Sequence, residues 1–87
     1  MKTFFLTFRS ITQAQRAERA YERAGMACIL RRTPRWMEER GCGYGVEVKC
    51  PDLKTGLAVL RREKLSFRKS YLLHPDGAVE ELRDDLP

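Results

Sequence analysis

Residues 44–64, YGVEVKCPDLKTGLAVLRREK, change their period halfway. From Tyr44 to Cys50 the pattern repeats every two residues, with Tyr44, Val46, Val48 and Cys50 on one face and Glu47 and Lys49 on the other, which predicts a half-buried strand. Pro51 and Asp52 then open a helix. Leu53, Leu57 and Leu60 fall on one stripe of it, Gly56 beside that stripe allows close packing on a sheet, and the helix is expected to end near Lys64.

The same strand-then-helix unit stands upstream. Thr3 to Phe8 (TFFLTF) is short, aromatic and β-branched, and it stops before Ser10, which has Gln13 three places on as a capping box requires. Ala14, Ala17, Tyr21 and Ala24 recur at helical spacing before Gly25, predicting a helix over Ile11–Ala24. Met26 to Arg32 (MACILRR) is too short before Pro34 for a stable helix and reads as a strand. Downstream, Phe67, Lys69, Tyr71 and Leu73 alternate with Ser66, Arg68, Ser70 and Leu72 in a further strand. Pro75-Asp76-Gly77 makes a turn, after which Val79 to Leu82 reads equally as a hairpin return or a final helical turn.

The order is β-α-β-β-α-β. This predicts an α+β, ferredoxin-like βαββαβ sandwich, a four-stranded antiparallel sheet with two helices on one face. With 87 residues there is room for one domain (1–87), its core over about 3–74 and a hairpin or short helix over 75–87. A content of 43% hydrophobic and 33% charged residues is that of a folded chain. Arg9 interrupts the first apolar run where a signal peptide would continue, and no apolar run approaches a membrane span, so the expected location is cytoplasmic with no membrane partner. The net charge of +5 is spread along the chain and reads as a solvated surface, so nucleic acid is not an expected partner. Three cysteines, Cys28, Cys42 and Cys50, are odd in number and lack the dense even spacing of a disulfide framework, which fits free thiols.

The remaining segment, Thr33 to Gly45, is a loop with structure of its own. Gly41, Gly43 and Gly45 demand a bent or closely approached backbone, and Trp36 to Glu39 fits one helical turn. Thr33-Pro34-Arg35 followed by Gly41-Cys42-Gly43, behind the capped Ala-rich helix and Gly25, resembles the small bacterial selenium/sulfur carrier protein-like domains, whose signature is a Pro-Arg pair and, several residues later, Cys-Gly. The resemblance runs from about Phe4 to Lys64. It implies that Cys42 holds a persulfide or selenopersulfide between donor and acceptor proteins, turning over only as those partners load and unload it and using no cofactor.

The residue chemistry is consistent with that role. A thiol carries or attacks a chalcogen as its thiolate, which nearby cations favour, and Arg35 and Arg40 flank the cysteine in sequence. Gly41 and Gly43 leave Cys42 without bulky neighbours. The bland alternative is a small residue in a turn. Pro34 ends the preceding strand with an expected trans bond, Trp36 is expected to cap the core or meet a partner, and Cys28 and Cys50 read as packing residues. Cys-x-x-Cys is missing, and the spacings among the cysteines and His74 match no compact zinc-ligand pairs, so no metal is expected. The alternative function is a small non-catalytic binding or regulatory module for RNA or protein, with Phe5 and Tyr44 as stacking candidates, although no RNP1-type run is present. The Met26–Arg32 strand, expected at a sheet edge, leaves a homodimer open.

Overall fold

The computed structural model describes residues 1–37 and 43–82. Five strands and two helices follow in the order β1 (Lys2–Thr7), α1 (Ile11–Arg23), β2 (Cys28–Arg32), β3 (Tyr44–Cys50), α2 (Leu53–Arg62), β4 (Ser70–Leu73) and β5 (Val79–Leu82), with a short 3-10 turn at Arg35–Met37. The class is α+β, as the periodicity predicts, but the sheet has five strands where four were expected. It runs β2-β3-β1-β4-β5 with every neighbouring pair antiparallel. Val79–Leu82 returns along β4 as a hairpin. His74 and Ala78 close its turn, with the His74 N–H on the Ala78 carbonyl at 2.8 Å and Asp76 capping the Ala78 N–H at 2.9 Å.

Helix limits follow from capping. Ser10 accepts the Gln13 N–H at 3.2 Å to start α1. The helix leaves through Gly25, whose N–H reaches the Glu22 carbonyl while the Met26 N–H reaches that of Tyr21. Asp52 starts α2 by accepting both the backbone N–H and the hydroxyl of Thr55 at 2.8 Å, which holds its carboxyl below the usual range. Pro51 therefore lies just outside the helix. At the other end the chain makes the same reversal through Lys64, at φ 57, with the Leu65 N–H on the Leu60 carbonyl.

Both helices lie on one face of the sheet. Ala14, Ala17, Ala20 and Tyr21 of α1 and Leu57, Val59 and Leu60 of α2 join Phe4, Leu6, Val46 and Val48 in a single buried cluster. The small alanines let α1 settle close to the strands. Tyr21 is fully buried, and its hydroxyl donates to the Gly56 carbonyl of α2 at 3.1 Å, tying the helices together. Phe67 packs on this same layer, so the alternation expected from Phe67 through Leu73 breaks before β4 begins.

Among the described residues no α-helix lies on the opposite face. Its centre is Phe5 and Tyr71, 2% and 3% exposed, with Leu73 beside them. The strand Met26–Arg32 does stand at an edge. Because the Lys49 and Thr33 N–H groups bond the Ala27 and Gly43 carbonyls across the β2–β3 ladder, Leu30 points its N–H outward, and Glu18 of α1 accepts it at 3.3 Å. That carboxylate occupies the central donor of the edge.

Candidate functional site

The end of the β2–β3 ladder sets the site. Beyond the Arg32–Tyr44 pair the Thr33 N–H donates to the Gly43 carbonyl, one more rung past the last strand pair. Gly43 has φ +70, a conformation any side chain would resist, and Thr33 is 4% exposed. The closure is thus built from a buried threonine and a glycine in the left-handed region.

Next to it, Gly45 is where the open face is tightest. A methyl group there would stand 2.5 Å from the Leu6 carbonyl oxygen and 2.6 Å from the Phe5 ring. The Phe5 ring lies directly over this glycine, a close approach of the kind the glycine spacing predicted. On the other side of the strand end, Arg32 places its guanidinium 5.5 Å from the centroid of the Tyr44 ring and 3.4 Å from its hydroxyl. Phe5 is buried and Tyr44 already carries an arginine, so neither offers the free ring face that base stacking requires.

Beyond Thr33 the chain folds back over the open face. Pro34 follows a trans bond, as do all described residues. Arg35–Met37 forms the 3-10 turn at the start of the expected helical turn, and Trp36 sets its ring edge-on to Tyr71, centroids 6.2 Å apart at 76°. Trp36 remains 67% exposed, so it roofs Tyr71 and does not cap the helix-side core. Between this segment and the sheet lies an open groove of about 260 Å³, lined by Pro34, Trp36, Phe5, Arg31, Glu47 and the β4–β5 residues Leu73 and Val79. Of the residues assigned to the site from sequence, Pro34, Arg35 and Gly43 are brought to this end of the molecule, while Arg40, Gly41 and Cys42 lie outside the described residues, as do Glu38 and Glu39.

The other two cysteines are free thiols in the helix-facing layer. Cys50 is fully buried and points its thiol at the Asp52 carbonyl, 3.3 Å away. Burial and then the Asp52 charge push its pKa up, against backbone contacts at Gly56 and Asp52 that act in the opposite sense. Cys28 packs under α1 with its thiol 3.5 Å from the Glu18 carbonyl. Burial, then Glu22 and Glu18, push it up to about 11. Both environments disfavour a thiolate at neutral pH, which agrees with the packing role expected of them.

Two contributors escaped the sequence reading. Tyr71 supplies the floor on which Trp36 rests, and Glu18 closes the β2 edge. The alternation of β4 places Tyr71 on a definite face, which is the signal available for it; nothing in the spacing of Glu18 distinguishes it from other solvent-facing acids.

A two-layer α+β domain, with two helices on one face of a five-stranded antiparallel sheet and the Pro34–Trp36 segment laid on the other, is therefore the class that the described residues define. Within that class the chain belongs to the family described as putative Se/S carrier protein-like, whose model matches residues 3–72. The match takes in residues 33–45 and extends into β4, beyond the stretch that carried the resemblance. Searches of curated proteins and of solved structures found no match.

Proposed function

We propose that this domain, a ferredoxin-like frame enlarged by β5, carries sulfur or selenium on Cys42 between a donor protein and an acceptor protein. The observation that carries the reading is the contrast among the three thiols. Two sit in the packed layer with raised pKa values, and the third directly precedes in sequence Gly43, whose carbonyl takes the Thr33 N–H, in a chain of a carrier family. In loading, the Cys42 thiolate attacks the outer chalcogen of a donor persulfide or selenopersulfide. A bond forms from the Cys42 sulfur to that atom, the donor's own sulfur–chalcogen bond breaks, and the donor leaves as a thiolate. Unloading is the same exchange toward an acceptor thiolate, so no net oxidation occurs and no cofactor is consumed. Arg35 and Arg40 favour the anionic forms on either side of the exchange. Cys42 acts alone, and the domain by itself turns nothing over. A reducing cytoplasm suits unpaired thiols of this kind.

The test is loading in solution. The reduced protein, incubated with a cysteine desulfurase and cysteine or with a selenium donor, is expected to gain one sulfur or selenium atom, mapped by peptide mass to Cys42 and absent from Cys42→Ser. Chalcogen found on Cys28 or Cys50 in place of Cys42, or on none of them, refutes the reading.

A further inference from the structure

We infer that the groove between the Pro34–Trp36 segment and the open sheet face docks an acidic segment of a partner protein that offers an apolar side chain to the groove. The inference deepens the carrier reading and rests on it, since a chalcogen is exchanged only while a partner sits beside the loop.

Three observations lead there. First, exposed apolar groups collect on this face. Ile29, Trp36 and Val79 are 51%, 67% and 37% exposed, and the register places Ile29 and Val79 on the same side of the sheet as Phe5 and Tyr71. Trp36 and Val79 both line the groove, together with Leu73 and Phe5. An apolar side chain fits there.

Second, the charge around it is one-sided. Among the described residues the open-face carboxylates are Glu47 and Glu81, already engaged by Arg31 at 3.4 Å and Lys69 at 3.7 Å. Arg35 and Lys49 have no ion pair among the described residues, and the whole chain carries +5. A partner that brings carboxylates beside its apolar group complements this face, and a basic one does not.

Third, area argues against a second copy. Five strands spaced about 4.8 Å apart and about five residues deep on average give a face of roughly 24 by 17 Å, on the order of 400 Å², well under the ~800 Å² per partner of a stable interface. A contact of that size is transient, which suits a carrier that meets two partners in turn. Nor does the face suit a nucleic acid, because Phe5 and Tyr71 are covered and Trp36 alone is open to stacking.

Trp36 is the single tryptophan of the chain and reports on its own groove. The experiment titrates the full reduced protein with acetyl-Asp-Glu-Leu-Phe-Glu-Asp-amide and with acetyl-Lys-Lys-Leu-Phe-Lys-Lys-amide, following Trp36 emission. The expected result is saturable binding of the acidic peptide, with a Kd at or below about 1 mM, at least tenfold tighter than the basic one. Val79→Glu and, on the exposed turn, Arg35→Glu each weaken it at least fivefold, with far-UV circular dichroism unchanged. Equal affinity for both peptides, no saturation, binding indifferent to both variants, preference for an oligouridylate, or a dimer by sedimentation at micromolar protein overturns the inference. Loading of Cys42 from inorganic polysulfide, read by mass in Val79→Glu, which lies outside the residues assigned to the exchange, needs no docking partner. Loss of docking and loss of loading therefore appear as separate results.

Discussion

Alkylation of the folded protein at pH 7.5 is expected to separate the three thiols by rate. With its pKa pushed up to about 11, Cys28 is thiolate in roughly 0.03% of molecules at that pH, against about 9% for an ordinary thiol of pKa ~8.5. That is a deficit of roughly 300-fold in the reacting species. A more basic thiolate is also a better nucleophile, with a Brønsted slope of about 0.4–0.5, which recovers roughly tenfold and leaves a net deficit of about 20- to 30-fold. Packing beneath α1 adds to this for Cys28, and full burial adds more for Cys50. The assay is pulsed iodoacetamide labelling with site-resolved mass spectrometry. Cys42 is expected to react at least ~20-fold faster than Cys28 and faster still than Cys50, and in urea the three should come together, since the sequence contexts alone give no such spread. Cys28 or Cys50 labelling within about fivefold of Cys42 in the folded state would refute the assignment of the carrier role by environment.

Three further outcomes follow from the packing. Gly45→Ala drives a methyl group into the Leu6 carbonyl and the Phe5 ring, and is expected to cost about 2–4 kcal/mol, a large part of the roughly 4–13 kcal/mol available to a domain of this size; a urea midpoint unchanged within error would sink the argument. Lys64→Gly relieves a side chain held at φ 57 and is expected to stabilise by up to about 1 kcal/mol, after the extra freedom of glycine in the unfolded chain is subtracted; a lower thermal midpoint contradicts it. Cys28 and Cys50 hold their protons in the native state to higher pH than in the unfolded chain, so between about pH 8.5 and 11 the unfolded state binds fewer protons and stability falls as pH rises. Cys28→Ser should flatten that fall, as measured by urea midpoints across the range.

Most of the frame was legible because local signals agreed with one another. The period change at Pro51, the Ser10 and Asp52 caps and the exit through Gly25 are each decided by neighbours in sequence, and the structure repeats them to within a residue or two. Val79–Leu82 was not decidable, because VEEL is short and its pairing with Ser70–Leu73 is a tertiary choice. Phe67 broke the expected alternation for the same reason: its neighbour Arg68 gives its N–H to the Thr7 carbonyl, an irregular contact before β4 becomes regular. At the site, the glycines announced a closely approached backbone but not what approaches it. That Phe5 covers Gly45, and that Trp36 roofs Tyr71, depends on strands far apart in sequence.

Strand register also bears on whether a second cysteine of this chain takes part. Cys42 is joined to Gly43, so their Cα atoms are about 3.8 Å apart whatever path the loop takes. Gly43 stands at one end of β3 and Cys50 at the other, seven residues along, which at about 3.3 Å per residue puts them roughly 20 Å or more apart. Cys28 pairs with Val48, five residues along, about 16 Å from Gly43 before the sideways step to β2 is added. A disulfide needs Cα atoms within about 7 Å. Neither residue can resolve a persulfide on Cys42 while the sheet is intact, so a chalcogen held there leaves only to another molecule. Relay inside the chain is ruled out by register, so under the proposed carrier role transfer from Cys42 needs a second molecule.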